Sequence, residues 1–204
     1  MERGTNDLKK RSPARDSRFV LEFSDAAFTI LELLVVTTII VVLAGLVLAT
    51  SNYAFEKGAR SRAEAEIAAI SAALENYKAD NGIYPQNADT TMLNAREDGN
   101  PDASPPNVYT KASLFLYESL SGDTNGDTVP DGAKAYLTFR PSQLSSAGGN
   151  VQFIKDPFGY SYGYSTAGES GGTHGYNPTF DLWSTGGRSD IRNPPDQSKW
   201  IKNW

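Results

Sequence analysis

Few side chains in this sequence of 204 residues could do covalent or acid–base chemistry. Cysteine is absent, which excludes disulfide bonds, thiol catalysis and zinc or iron–sulfur sites built on cysteine. His174 is the only histidine, and glycines flank it, so the sequence positions no second group that would make it a catalytic base. The sequence also contains no nucleophile elbow, phosphate-binding loop or dinucleotide-binding fingerprint. We therefore expect a protein that is not an enzyme.

One polar segment has the spacing of oxygen ligands for a hard cation. Oxygen side chains recur at alternate positions at Asp123, Asn125 and Asp127, and Asp131 follows them. Calcium is bound by oxygen atoms spaced in this way at the start of an EF-hand loop. Thr128 stands at the sixth loop position, where glycine is usual, and the closing glutamate is missing. A calcium site and a solvated turn are therefore both open interpretations.

A single carboxylate lies inside a long apolar run. Residues 28–49 read FTILELLVVTTIIVVLAGLVLA, and Glu32 is the only ionisable residue among them. At about 1.5 Å per residue, this run is roughly 30 Å long as a helix, which matches the hydrocarbon thickness of a membrane. A carboxylate in that layer is costly unless it is paired. Glu32 is therefore predicted either to pair with a cationic group or to reach water at the membrane surface.

The charges on either side of the run predict its orientation. A Lys/Arg cluster lies within residues 1–27, so the positive-inside rule leaves this segment in the cytoplasm and exports the rest. From Phe28 on, 13 basic and 19 acidic residues give a net charge of −6, which argues against nucleic acid as a partner. A cleaved secretory signal is the rival interpretation, but cleavage after the run would divide one continuous helical pattern.

A long helix must position these residues. Its first part, 28–50, is predicted to be transmembrane, and its second part, 51–82, is predicted to be amphipathic. In the second part, apolar residues spaced alternately by four and three form a stripe that we expect to pack against the rest of the chain. Gly82 and Pro85 predict the end of the helix. The stripe consists of Ala63, Ile67, Ile70, Leu74 and Tyr77.

The remaining residues, 83–204, are predicted to form a globular head. Residues 86–107 are polar and indicate a surface loop, and 111–120 indicate a short helix. The alternating Tyr160, Tyr162 and Tyr164 are predicted to share one face of a sheet. The fold class is therefore α+β, with the long N-terminal helix packed on a small antiparallel sheet. Its strands are predicted at 134–139, 150–154, 160–164 and 180–183.

The start of the apolar run is similar to a known processing site. Ala27-Phe28-Thr29-Ile30-Leu31-Glu32-Leu33 resembles the site at which a prepilin peptidase cuts type IV pilins and type II secretion pseudopilins. The resemblance implies that the leader 1–27 is removed and that Phe28 becomes an N-methylated N-terminus. It also implies that Glu32 serves assembly by pairing with the amino group of Phe28 in a neighbouring subunit. The family normally has glycine where this chain has Ala27.

Later motifs resemble those of the major pseudopilin, in the same order. They are YKADNGIYP at 77–85, DPFGYSY at 156–162, DLWSTG at 181–186 and IKNW at the end of the sequence. The resemblance implies a pilin-like fold and a calcium ion in the loop after the third motif. The aspartate expected soon after Gly186 is replaced here, and the nearest carboxylates are Asp190 and Asp196. Calcium is thus a predicted cofactor at one of two places.

The resemblance also implies a function and partners. The expected protein is a structural subunit of a type II secretion pseudopilus, or of a related type IV pilus-like fibre, that supports protein export. Its partners would be further copies in a helical fibre, minor pseudopilins, the prepilin peptidase and an inner-membrane platform protein. It would cross the bacterial inner membrane once, with its head in the periplasm. The alternatives are a membrane-tethered periplasmic binding module, an adhesive type IV pilus subunit and an anchored hydrolase.

Overall fold

The computed structural model describes residues 28–101, 106–169 and 174–204, without the side chains of residues 49, 50 and 52. The predicted leader 1–27, including Ala27, lies outside the described residues. The described residues fall into two compact units, one that ends at Val47 and one that begins at Leu48 and ends at Trp204.

The predicted long helix is confirmed as α1, Ile30–Asn81, which has 52 residues. Thr29 precedes its first residue and caps it, because the Glu32 N–H donates to Thr29 Oγ1 at 3.1 Å. At the other end, Gly82 has the left-handed φ of 81° and donates its N–H to the Lys78 carbonyl oxygen at 2.7 Å. This is how glycine commonly closes a helix, so the predicted end is also confirmed.

The described part of the head contains two further α-helices and two small antiparallel sheets. The helices are α2 (Ala88–Met92) and α3 (Val108–Ser121), and a 3₁₀ turn spans Pro141–Gln143. The strands are β1 (Leu144–Ala147), β2 (Asn150–Ile154), β3 (Gly163–Ser165), β4 (Asp181–Ser184) and β5 (Ile201–Lys202). Strands β1 and β2 form one sheet, and the other has the order β3-β4-β5. The α+β class is therefore confirmed, whereas the single predicted sheet is wrong.

The strand predicted at 134–139 is wrong. The N–H groups of Tyr136 and Leu137 both donate to the Leu120 carbonyl oxygen, at 2.8 and 3.0 Å. Because the last carbonyls of a helix have no partner within it, the end of α3 offers this segment acceptors. The predicted loop at 86–107 also contains α2, whose first turn is closed by a reciprocal capping box between Asn87 and Thr90.

The core of the unit Leu48–Trp204 joins α1 to the head. The predicted stripe on α1 is confirmed, since Ala63, Ile67, Ile70 and Leu74 are buried and Tyr77 is partly buried against them. Each fully buried leucine or isoleucine contributes roughly 1.5–3 kcal/mol. Their partners in the head are Leu116, Leu120, Val151, Ile154, Tyr162, Tyr164, Phe180 and Leu182.

Candidate membrane and assembly site

An apolar surface surrounds the first part of α1. Every described residue from 28 to 47 is exposed, and the large apolar side chains there are between 46% and 87% exposed. Of the described helices, this is the one that is long and apolar enough to cross a membrane. A helix that is apolar on all sides needs an apolar environment, since water would be in contact with its whole circumference. A bilayer or a packed set of similar helices would supply it.

The two hydroxyl side chains in the middle of this run are satisfied within the helix. Thr37 Oγ1 and Thr38 Oγ1 donate to the Leu34 carbonyl oxygen at 3.0 and 2.7 Å. Such bonds to the preceding turn remove the cost of placing a hydroxyl in lipid. The threonines are therefore compatible with the run as a membrane span.

Glu32 is the polar side chain of this apolar surface that has no partner among the described residues. Its carboxylate has no hydrogen-bond or ion-pair partner among residues 28–101, 106–169 and 174–204, and the side chain is exposed. It lies in the first turn of α1, where the helix dipole favours a negative charge. With Thr29 three residues earlier, it also has the spacing of a capping box. This local role was missed in the sequence, although the Thr-x-x-Glu pattern was a signal for it.

Of the two residues at the predicted processing site, the structure describes Phe28, which follows the bond to be cut. Phe28 lies two residues before the first residue of α1 and is 73% exposed. Ala27 lies outside the described residues. Cleavage and N-methylation at Phe28 therefore stay predictions.

The DPFGYSY motif forms a turn around the buried Asp156 carboxylate, which also bonds to β4. Asp156 Oδ1 accepts the N–H groups of Phe158 and Tyr160 at 3.0 and 2.8 Å, and Oδ2 accepts the Ser184 hydroxyl at 2.6 Å. Asp156 is only 2% exposed, and burial raises the pKa of its carboxyl despite these bonds. The motif residues Asp156 and Ser184 are thus structural: they join the turn to the strand.

The end of the sequence has a comparable structural role. Asn203 Oδ1 accepts the Leu182 N–H at 2.9 Å, and Asn203 Nδ2 donates to the Phe180 carbonyl oxygen at 3.1 Å. Its side-chain amide therefore continues the pairing of β5 with β4. Asp181 accepts the N–H groups of Tyr176 and Asn177, and its burial raises the pKa of the carboxyl. The motifs near the C-terminus therefore hold this sheet together.

The calcium site implied at Asp190 and Asp196 is occupied by an arginine. Arg192 Nη2 lies 2.6 Å from Asp190 Oδ2 and 3.8 Å from Asp196 Oδ2. Its guanidinium also lowers the pKa of the Asp190 carboxyl, because the positive charge and its hydrogen bonds favour the ionised form. As placed, these residues do not fit a calcium ion, since the Arg192 guanidinium pairs with Asp190 and lies near Asp196, where the ion would be. No pattern in the sequence singled out Arg192, two residues after Asp190.

The second calcium candidate is a tight turn built around Asp123. This carboxylate is 2% exposed and accepts the N–H groups of Gly126 and Thr128, each at 2.8 Å, and the Tyr117 hydroxyl at 2.8 Å. Thr128 has a φ of 70°, in the left-handed region where glycine is usual. The backbone at the sixth loop position thus has the conformation of a calcium loop even though its side chain does not match.

The other predicted ligands of this loop bond to the loop itself. Asn125 Oδ1 accepts the Asp127 N–H at 3.0 Å, and Asp127 Oδ1 accepts the Val129 N–H at 2.8 Å. Asp131 Oδ2 accepts the Thr124 N–H at 2.7 Å. Across the part of the chain that the structure describes, no group of three or more His, Asp or Glu side chains is placed to hold a metal. Calcium in this loop stays a prediction.

The side chain of His174 is exposed, and its Nδ1 lies 2.8 Å from the amide nitrogen of Asn94.

No protein-family model, no curated protein and no solved structure matches this chain. Any functional conclusion therefore depends on the residues themselves.

Proposed function

We propose that this chain is a structural subunit of a type II secretion pseudopilus, or of a related type IV pilus-like fibre. In this proposal it waits in the bacterial inner membrane and then stacks with further copies through the first part of α1. The observation that carries the proposal is the apolar surface at 28–47, exposed on all sides, with one carboxylate in its first turn. The resemblance of the residues around Phe28 to a prepilin processing site supports it independently.

In this proposal the first part of α1 must be stable in two environments, the lipid bilayer and a packed set of identical helices. A surface that is apolar all round is equally stable in lipid and among identical helices, so transfer from one to the other costs little. Glu32 makes the second environment preferable, because an unpaired carboxylate is expensive in lipid and a cationic partner removes the cost. Cleavage before Phe28 would create such a partner, namely an amino group at the positive end of a helix dipole.

The Glu32 carboxylate distinguishes this function from a membrane-tethered binding module. A tether needs only an apolar helix, so Glu32→Ala should leave its localisation and its head intact. A fibre subunit should lose polymer formation with the same change, while Glu32→Asp should retain part of it because the charge remains. Glu64→Ala is the matched control, since Glu64 is an exposed carboxylate on α1 outside the apolar run.

The experiment uses cells that contain a prepilin peptidase and an assembly system. The mature protein is expected to begin at N-methylated Phe28, and its N-terminal mass measures this directly. Because the chain has no cysteine, single cysteines placed in the apolar run can report contacts between copies by cross-linking. Retention of Met1, or equal cross-linked ladders for the native chain and Glu32→Ala, would contradict the proposal.

A further inference from the structure

Two largely exposed aromatic side chains follow the apolar run. Tyr53 and Phe55 lie on α1 in the unit Leu48–Trp204 and are 71% and 75% exposed. Neither belongs to a core cluster of that unit. Each ring leaves apolar area in contact with water, so an environment that covers both rings would stabilise the chain.

Their positions on the helix restrict what that contact can be. A helix with 3.6 residues per turn advances by about 100° per residue, so residues two apart point about 200° away from each other. A protein partner that packs on one side of α1 could cover Tyr53 or Phe55 but not both. An environment that surrounds the helix at one level would cover both at once.

The neighbouring residues indicate which environment that is. The apolar run ends at Ala49, Leu48 is 72% exposed, and Glu56 and Lys57 directly follow Phe55. Tyr53 and Phe55 therefore lie where an apolar sequence changes to a charged one. Tyrosine is enriched at this level of membrane proteins because its ring is apolar and its hydroxyl is polar, and phenylalanine occurs on the apolar face of helices that lie at the membrane surface.

We propose that Tyr53 and Phe55 are an aromatic anchor that lies among phospholipid headgroups on the exported side of the membrane and fixes the depth of α1 before assembly. This inference rests on the proposed function, because it needs the apolar run to be a membrane span. The occupant is the lipid surface and not a second copy of the chain.

The test places a fluorescent label beside the anchor without removing it. Ala54 is exposed and lies between the two aromatic residues, so Ala54→Cys can carry an environment-sensitive nitrobenzoxadiazole dye on an otherwise cysteine-free chain. The full-length chain is reconstituted into vesicles of phosphatidylcholine and phosphatidylglycerol. The label is expected to emit at shorter wavelength than in water and to shift to longer wavelength when Tyr53→Ser and Phe55→Ser are added. Met92→Ser is the matched control, because Met92 is an equally exposed apolar residue of the head and should cause no shift.

A second label at Leu43→Cys separates this inference from the proposed function. If the label at 43 reports a polar environment, the membrane span and the anchor are both wrong. If it reports lipid while the emission at 54 is unchanged by the two serine substitutions, the span stands and the anchor is wrong. If the emission at 54 depends on the ratio of protein to lipid, the aromatic residues contact another copy, which also overturns the anchor.

Discussion

The left-handed backbone conformation of Thr128 is unfavourable for a β-branched residue, and a hydrogen bond within the loop holds Thr128 in it. Thr128 is the non-glycine residue with positive φ in the described chain, and its N–H is held by the buried Asp123 carboxylate. A β-branched residue in this region costs about 1–2 kcal/mol, whereas glycine adopts it freely but loses about 0.5–1 kcal/mol of conformational entropy on folding. We expect Thr128→Gly to raise the free energy of unfolding of the head by about 0.5–1 kcal/mol.

Urea denaturation measures this change, and Val129→Gly is the control. Val129 is exposed and has no positive φ, so glycine there should lower the stability instead. Repeating both measurements with calcium and with excess chelator also tests the predicted ion, since a ligand that binds the folded state raises the free energy of unfolding. A Thr128→Gly head that is less stable than the native one would show that the left-handed conformation is not strained.

The buried Asp156 predicts a dependence of stability on pH. Burial raises the pKa of this carboxyl above its ordinary value of 3.8 in the folded head. When the pKa is raised in the folded state, the contribution of the carboxyl to the free energy of unfolding is greatest below the pKa of the unfolded state. That contribution is lost as the pH rises through the pKa of the folded state. Asp156→Asn keeps an oxygen for the N–H groups of Phe158 and Tyr160 but does not titrate.

We therefore expect the stability of the native head, relative to Asp156→Asn, to fall as the pH rises from about 4 towards neutrality. The difference between the two proteins isolates Asp156 from other buried acids such as Asp181, which titrate in both. Guanidinium denaturation at a series of pH values gives the difference. A difference that stays constant or grows with pH contradicts the assigned direction of the pKa shift.

At the scale of the elements, the close packing of β3 against β4 depends on one glycine. Gly163 pairs with Trp183, and a Cβ at Gly163 would lie 2.3 Å from the Trp183 ring. Trp183 is fully buried and stacks on Trp200, so it has little room to move. We expect Gly163→Ala to destabilise the head by about 1–3 kcal/mol or more, the usual cost of overpacking a core.

Gly58→Ala provides a control of opposite sign. Gly58 lies within α1 with nothing near the position of an added Cβ, so alanine should stabilise the helix by up to about 1 kcal/mol. Thermal unfolding of the two variants measures both effects. Equal stability of Gly163→Ala and the native chain would mean that β3 can move away from Trp183.

The elements that were predictable are those whose signals are local. The stripe from Ala63 to Tyr77 repeats with the helical period, and Gly82 marks the end of α1, so nothing distant was needed. The strand β5 has only two residues, and its pairing is completed by the side chain of Asn203, which no pattern of alternation reveals. The segment 134–139 alternates like a strand but forms hydrogen bonds to the end of α3, which is a contact between distant positions.

At the site, Glu32 could be identified from the sequence because it is alone in an apolar run. Arg192 became relevant only once the loop had placed it near two aspartates.

At the scale of the whole molecule, the buried core and the exposed apolar surface belong to different stretches of the chain. Every buried apolar residue in the described structure lies at or after Ala59, whereas the apolar run ends at Ala49. The described core is therefore built from residues that follow the run. We predict that a fragment beginning at Glu56 folds by itself and stays monomeric without detergent, because it keeps the whole core and loses both the apolar run and the exposed Tyr53 and Phe55.

Circular dichroism and analytical ultracentrifugation test this fragment. A cooperative thermal transition with a monomer mass is the expected result, and a chain that begins at Phe28 should need detergent under the same conditions. The comparison also bears on assembly, since association in the proposed fibre depends on the apolar run and on Glu32, both of which the fragment lacks. Polymers formed by the fragment at the rate of the longer chain would place the assembly surface on the head, and an unfolded fragment would mean that the apolar run contributes to the core after all.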